Sequence, residues 1–255
     1  MATVTAMATE TEATTIKTRS MFDIFSCRRS LAQDGMFQGA TDRHSHILPG
    51  VDDGVKTIEE TLKILQYGEL LGVRNWWCTP HVMEDCPNTT EDLKARFDAL
   101  CEAYGGPIRL HLAAEYMLDT VFDQRLKDRD LLTMGDDMLL VEASVMAEPY
   151  DLPGKLREIM SAGYRPLLAH PERYRYLGEK DFEKLHEMGV LFQLNLASVT
   201  GYYGDTAKRK AEFLLKKGWY MTAGSDCHRR EALLKQYSAR TVKKSICRKV
   251  AELLK

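Results

Sequence analysis

Thr41 to His81 reads T-D-R-H-S-H-I-L-P-G-V-D-D-G-V-K-T-I-E-E-T-L-K-I-L-Q-Y-G-E-L-L-G-V-R-N-W-W-C-T-P-H. Thr41–His46 has the length of a short strand. A polar, glycine-bearing loop follows, and then Thr57 with Glu60 three residues on forms a capping box. That box opens a helical period through Ile58, Leu62 and Leu65. Gly72 sits where such a helix should stop, since glycine adopts the left-handed backbone of a helix C-terminus without strain. Arg74–Thr79 then supplies a second strand, rich in tryptophan. The segment is therefore a βαβ unit.

The same alternation continues along the chain. Further strands are expected at Ile108–Glu115, Met138–Glu142, Arg165–His170, Val190–Asn195 and Trp219–Ser225. Helical patterns cover Glu91–Tyr104, Leu152–Ala162, Asp181–Met188 and Thr206–Lys217, with Gly105, Gly163, Gly189 and Gly218 as stops. Seven strands with intervening helices imply parallel pairing and right-handed crossovers. An open doubly wound sheet and a closed barrel both satisfy this pattern. No glycine-rich nucleotide loop follows the first strand, which weighs against a dinucleotide-binding fold.

Length and composition suit one large domain, expected over residues 41–255 of the 255. With 35 basic against 37 acidic residues, nothing marks a nucleic-acid binder. No apolar stretch is long enough to span a bilayer, and the scattered cysteines suit reduced thiols, so a cytoplasmic location is expected. Residues 1–20 are Ala/Thr/Glu-rich and are expected to be a disordered extension without a secretory core. Residues 21–40 open with M-F-D-I-F-S-C-R-R, expected to dock on the domain, with a weak membrane or partner contact as the alternative. Met21 is an alternative start.

One rival chemistry can be excluded. A thiol phosphatase needs an arginine six residues after its cysteine, to cradle phosphate beside the thiolate. The residues six after Cys27, Cys78, Cys86, Cys101, Cys227 and Cys247 are Gln33, Glu84, Asp92, Pro107, Leu233 and Leu253, and none is arginine.

Potential metal ligands fall at the C-terminal ends of the expected strands. His44 and His46 close the first, and Asp52 lies in the loop after it. His81 follows the second; Glu115, Glu142 and His170 end the third, fourth and fifth; Asp226 and His228 follow the seventh. In a parallel barrel or sheet those ends converge on one face, which is where ligands bind. Alone, each has a bland reading as a core histidine or a solvated acid; their coincidence carries the argument. Two histidines two apart on a strand share a face, so His44 and His46 can chelate one ion. His186 lies in a helix, where solvation is expected, and His111 sits mid-strand, able to point at a barrel floor; neither is counted. A mixed set of imidazoles and carboxylates suits Mn, Fe or Zn, and oxygen-rich sites favour Mn or Mg. So many ligands imply more than one ion, and two or three ions suit phosphoryl transfer to water.

These motifs have a family likeness. D-R-H-S-H-I-L-P-G-V-D-D-G, Asp42 to Gly54, resembles the opening signature of the polymerase and histidinol phosphatase (PHP) superfamily. More narrowly it resembles the bacterial manganese-dependent protein tyrosine phosphatases that regulate capsule and exopolysaccharide synthesis. C-T-P-H at His81, A-A-E-Y at Glu115, V-E-A-S at Glu142, A-H-P-E-R at His170–Arg173 and G-S-D-C-H at Asp226–His228 extend the match over roughly residues 40–235. The resemblance implies a single-domain α/β fold, a distorted (β/α)7 TIM-like barrel, with a three-metal site. It puts His44, His46, Glu115 and Asp226 on the first ion, with Glu115 bridging to a second ion held by Glu142 and His170. Asp52, His81 and His228 would hold the third, with Asp53 as the alternative to Asp52. Two or three divalent ions are expected, manganese first, with Fe, Zn or Mg as alternatives. Arg173 would clamp the phosphate through its planar fork, and Asp226 and His228 are counted with it as catalytic. No role is carried over to Arg229 or Arg230.

The implied reaction is attack of water on phosphorus without a phosphoenzyme, on a phosphotyrosine protein such as the tail of a bacterial tyrosine kinase. A phenol leaving group, with a pKa near 10, needs less acid assistance than an alkoxide. The alternatives are a small-molecule phosphatase such as one acting on histidinol phosphate, and a non-catalytic regulator, which the complete ligand set opposes. The loops Met83–Thr90, Ser144–Leu152 and Ser198–Asp205 would decide the substrate. In the last, T-G-Y-Y-G resembles a segment of the tyrosine phosphatase branch, and its tyrosines either flank an aromatic substrate or pack the rim. An oligomer is possible.

Overall fold

A computed structural model describes residues 28–33, 35–239 and 241–255. The extension expected at 1–20 and the start of the docking segment lie outside these. Among the described residues the chain alternates strand and helix. The strands are β1 (Arg28–Arg29), β2 (Thr41–Asp42), β3 (Asn75–Cys78), β4 (His81–Val82), β5 (Arg109–Leu112), β6 (Glu115–Met117), β7 (Met138–Glu142), β8 (Arg165–Ala169), β9 (Leu191–Asn195), β10 (Tyr220–Gly224) and β11 (Val242–Lys243). The helices are α1 (Ile58–Leu71), α2 (Thr90–Ala103), α3 (Thr120–Asp128), α4 (Leu152–Ser161), α5 (Glu179–Glu187), α6 (Leu196–Thr200), α7 (Gly204–Lys217), α8 (Arg230–Ser238) and α9 (Lys244–Leu253).

Helices α1 to α4 begin where a side chain satisfies an orphan backbone donor. Thr57 accepts from the Glu60 amide, Thr89 from Asp92, Asp119 from Phe122 and Asp151 from Gly154. Gly72 ends α1 with φ of 88° and Gly218 ends α7 with φ of 73°. Gly105 does not play that part: α2 ends on Tyr104 at φ −98°, in extended backbone. Helices α3, α6, α8 and α9 lie beyond those the periodicity predicts. Helix α3 buries only Phe122 and α6 has five residues, so these two carry little apolar period to read, whereas α8 buries Leu233 and Tyr237 and α9 buries Cys247 and Val250 at helical spacing.

Six parallel strands run in the order β10-β9-β8-β7-β6-β4, and three more in the order β2-β3-β5. The third expected strand breaks partway, and the second is followed just beyond its expected end at Thr79 by a further strand, β4. Pro80, which has no amide to donate, interrupts β3/β4 after Thr79, and Ala113–Ala114 separates β5 from β6. Below the breaks β3 pairs with β5; above them β4 pairs with β6, in register from His81 opposite Glu115. The two sheets are thus halves of one wall, joined through Ala113 N to Cys78 O and Glu115 N to Pro80 O. At the other side Ser45 bridges Cys227 in parallel, and the Asp226 amide donates to His44 O at 2.8 Å. Seven strand positions therefore follow one another round the fold with backbone contacts between both outer edges, the distorted (β/α)7 arrangement. Gly224 permits that edge contact, since a Cβ there would lie 2.3 Å from the His44 Cβ.

Leu139, Leu140 and Val141 are all fully buried, as expected for a parallel strand covered on both faces. Leu140, Leu167, Ala113 and Ala169 form a small interior cluster with Met134 and, at its margin, Trp77. His111 stacks on Trp77 at 4.7 Å and His186 on Trp219 at 4.9 Å, both away from the ligand cluster. The rest of the core lies between strands and helices; Gly68 of α1 makes room there for the Trp76 ring. Leu31, Met36 and Phe37 are buried, and β1 pairs antiparallel with β11. Among the described residues no helix is long and apolar enough to cross a membrane.

Candidate metal centre

Eight of the nine expected ligands meet around Glu115: Glu142 ends β7, and His44, His46, His170, Asp226 and His228 follow the ends of β2, β8 and β10, whereas His81 opens β4. Glu115 begins β6 and is fully buried. Its Oε2 lies 3.2 Å from His44 Nε2, 3.3 Å from His46 Nε2 and 3.2 Å from His81 Nδ1, and its Oε1 lies 3.0 Å from His170 Nε2. Asp226 Oδ1 is 3.5 Å from His44, 3.3 Å from His46 and 3.4 Å from His228. Glu142 Oε1 is 3.0 Å from His81 Nδ1, and its Oε2 is 3.8 Å from His170. His228 stacks on His46 with centroids 4.0 Å apart. Two of these residues sit in the left-handed backbone region, His170 at φ 36° and Asp226 at φ 53°. Non-glycine residues there are uncommon, and each turns the chain sharply at a strand end so that its side chain reaches inward.

The charge state follows from crowding. Burial alone would raise Glu115 and Asp226, but the surrounding imidazoles overcome it and hold both carboxyls well below the usual range. Burial opposes charging of His46, yet the carboxylates of Asp226, Asp52 and Glu115 around it raise it well above an ordinary histidine. His228 is lowered, by burial and by His46 beside it.

A divalent cation fits this set. Glu115 Oε2 and His81 Nδ1 are buried and close, but not aligned for hydrogen bonds, and His170 Nδ1 also has no partner. His44 Nε2 and His46 Nε2 face each other at 3.1 Å. Their opposite nitrogens are committed: His44 Nδ1 donates to Gln193 Oε1 at 2.6 Å and His46 Nδ1 to Asp52 Oδ2 at 2.8 Å. With a metal in place of their Nε2 protons, that would leave both Nε2 atoms as inward lone pairs, the usual outer-shell arrangement for metal-binding histidines. Three groups offer ligand atoms within reach of one another: His46, Asp53, His81 and His228; His44, His46 and Glu115; and His81, Glu115 and Glu142.

Asp52 is the ninth expected ligand, and the structure places it one layer back. Its buried carboxylate accepts from His46 Nδ1, from the Gly54 amide at 2.9 Å and from the His81 amide at 3.0 Å. Asp53 instead faces the cluster, its Oδ1 3.3 Å from His228 Nε2 and 3.6 Å from His81 Nε2. The loop turns between them because Gly54 packs on the His46 backbone, where a Cβ would lie 2.1 Å from His46 O. Arg229 is exposed at the start of α8.

Arg173 ends a 3-10 turn, Pro171–Arg173, and its Nη1 donates to Asp226 Oδ2 at 2.8 Å. Four residues around the site are absent from the sequence expectations. Gln193 and Asn195 of β9 are buried; Asn195 Nδ2 donates to the same Asp226 oxygen at 2.7 Å. Asn88 ties Val51 O to His81 O, both at 2.9 Å. Glu172 is buried and accepts from Ser198 Oγ, the Asn195 amide and Tyr220 OH, anchoring the turn that carries Arg173. A signal existed in F-Q-L-N: two amides spaced by two in an apolar strand share one face.

The family model described as "Capsular polysaccharide synthesis, CpsB/CapC" matches residues 40–254. The tyrosine-protein phosphatase CpsB of Streptococcus pneumoniae is 30% identical over 207 residues, covering 73% of this chain and 82% of that protein. The tyrosine-protein phosphatase YwqE of Bacillus subtilis is 25% identical over 194 residues, covering 73% and 76%. Among solved structures, one from the pair YwqE of Bacillus subtilis and CpsB of Streptococcus pneumoniae, described as unique metal-dependent tyrosine phosphatases, superposes with a TM-score of 0.71. It is 23% identical and covers 84% of this chain and 85% of that one.

Proposed function

The chain belongs to the CpsB/CapC family of capsular polysaccharide synthesis, and from that premise we propose that it is a metal-dependent protein-tyrosine phosphatase. Its substrate is a phosphotyrosine on a partner protein, with the tail of a bacterial tyrosine kinase as the expected source, and its place of action is the cytoplasm. The observation that carries the reading is Glu115 Oε2, fully buried among three imidazole nitrogens at 3.2–3.3 Å without an aligned hydrogen bond. A carboxylate so placed is supported only by cations.

In this reading His44, His46, Glu115 and Asp226 would hold one ion, and Glu142 and His170, with Glu115, would hold a second. Asp53, His81 and His228 would hold a third, with Asp53 in place of Asp52 in the set. Manganese is the expected metal. Bound there, such ions would supply a lowered pKa for water and positive charge for the phosphoryl oxygens. Arg173 offers its remaining N–H groups to phosphoryl oxygens, with Nη1 already spent on Asp226. Asp226 aims that fork and is itself held by Asn195. His228 directs Nδ1 at the Asp226 carbonyl, 3.0 Å away, leaving Nε2 as a lone pair. That tautomer suits a ligand better than a proton donor. The phenol leaving group tolerates this, since its pKa is near 10.

The test compares turnover of a phosphotyrosine peptide and of histidinol phosphate with Mn, Mg, Zn or chelator. Hydrolysis of the peptide in Mn, abolished by chelator, is expected. Preference for histidinol phosphate, or full turnover in chelator, would overturn the reading.

A further inference from the structure

The T-G-Y-Y-G segment is the one motif at the site mouth to which the reaction above gives no role. Tyr203 lies between α6 and α7, bracketed by Gly201 at φ 88° and Gly204 at φ 87°. Those left-handed glycines fold the segment back over the Pro171–Arg173 turn. The Arg173 guanidinium carbon then sits 4.3 Å from the Tyr203 ring centroid. In its own plane the guanidinium is held by Asp226. Tyr203 OH lies 3.5 Å from Asn195 Nδ2, whose stronger bond is to that same Asp226 oxygen. Tyr202 meets Tyr203 edge to face at 5.1 Å and 86°, buttressing it from the solvent side.

Arg173 needs such support because its neighbourhood is rich in carboxylates. Glu115, Glu172 and Asp226 all attract it, and a long side chain on a short turn has freedom to swing towards any of them. A ring against one face restricts that swing and excludes water, while leaving the in-plane N–H groups outward for oxygen acceptors. Among the described residues, Asp226 takes the only side-chain hydrogen bond the guanidinium makes.

Resting on the phosphatase reading, we propose that Tyr203 is a positioning residue whose ring holds the Arg173 fork in the orientation that receives the phosphoryl group. It acts through Arg173 and not on the reacting atoms. Its hydroxyl is secondary: burial pushes it up to about 12, so it stays neutral at working pH.

The experiment uses the full chain loaded with manganese, and the variants Tyr203→Leu, Tyr203→Phe, Arg173→Met and the double variant Tyr203→Leu/Arg173→Met. Readouts are kcat/KM on a phosphotyrosine peptide, binding of inorganic phosphate by calorimetry, metal content and thermal unfolding. Tyr203→Leu should lower both kcat/KM and phosphate affinity by about tenfold, the scale of a part-buried cation–π contact. Metal content should not change, and Tyr203→Phe should recover most of the loss. In the Arg173→Met background the leucine should add less than twofold. Parental phosphate affinity in Tyr203→Leu, or an undiminished loss in the Arg173→Met background, would overturn the proposal. Should Tyr203→Leu unfold, failure of Tyr203→Phe to bind phosphate like the parent overturns it equally. If the parent fails to hydrolyse the peptide, the phosphatase reading falls, and phosphate binding still decides the role of Tyr203.

Discussion

Replacing each of the two adjacent aspartates by alanine should have opposite consequences, although the residues are neighbours in sequence. Asp52 has a side chain at 0% exposure and accepts three hydrogen bonds, from His46 Nδ1, the Gly54 amide and the His81 amide. Hydrogen bonds to a charged group contribute about 1.5–3 kcal/mol each, but they share one carboxylate and are not additive, so Asp52→Ala should cost about 3–5 kcal/mol. Asp53 is 72% exposed, and its neighbours His81 and His228 lie at 3.6 and 3.3 Å. Its replacement should change stability by no more than about 0.5 kcal/mol. The assay is urea unfolding in chelator, followed by metal counting after reloading and desalting. Asp52→Ala should unfold at a much lower urea midpoint, and Asp53→Ala at the parental one with one ion fewer bound. The pH dependence has a definite sign. Burial would raise Asp52, but His46 and the two amides hold it below the usual range. Its contribution is therefore complete above about pH 4 and fades as pH falls below that. A parental urea midpoint for Asp52→Ala together with a full metal count for Asp53→Ala would refute the geometric assignment.

Three further outcomes are expected. Arg173→Met should lower kcat by about 10²–10³-fold, the scale of removing one preorganised charge donor, with the circular dichroism spectrum unchanged; a loss under threefold would rule out the clamp. Gln193→Leu removes the acceptor for His44 Nδ1 and should weaken metal binding by about 10–100-fold in a chelator competition, so unchanged affinity would contradict the tautomer argument. Asp42 is pushed up to about 6, by burial against the amides of Ser225 and His44 that lower it. The folded chain thus holds that proton more tightly than the unfolded one, and stability falls as pH rises from about 4 to 6, by about 3 kcal/mol at 1.36 kcal/mol per unit. Asp42→Asn in chelator should lack this slope; equal slopes in the two proteins would show that Asp42 is not its source.

Much of the fold was legible because parallel α/β units repeat a local grammar. Thr57 with Glu60 marked the start of α1, Gly72 its end, and β7 appears over the residues its apolar run predicts. Helix α3 escaped because T-V-F-D-Q-R-L-K-D is short and fully buries only one side chain, Phe122. Strand β4 beyond Pro80 and the break at Ala113–Ala114 escaped because they answer a need of the barrel wall, the transfer of two strands from one sheet to the other. Gln193, Asn195 and Glu172 escaped because a buried polar side chain announces itself only once its partners are known, and those partners lie from 23 to 149 residues away.

By itself the sequence determined which residues would assemble: histidines and carboxylates at the ends of parallel strands must converge, since chain direction and strand period leave them nowhere else to go. It could not choose between Asp52 and Asp53, which have the same chemistry, side by side in one loop. The tertiary structure separates them, through Gly54 packed on the His46 backbone, which turns one carboxylate back to orient an imidazole and the other towards His81 and His228. Loop dihedrals and the contacts that hold them are set by the whole fold, and no period in the chain encodes them.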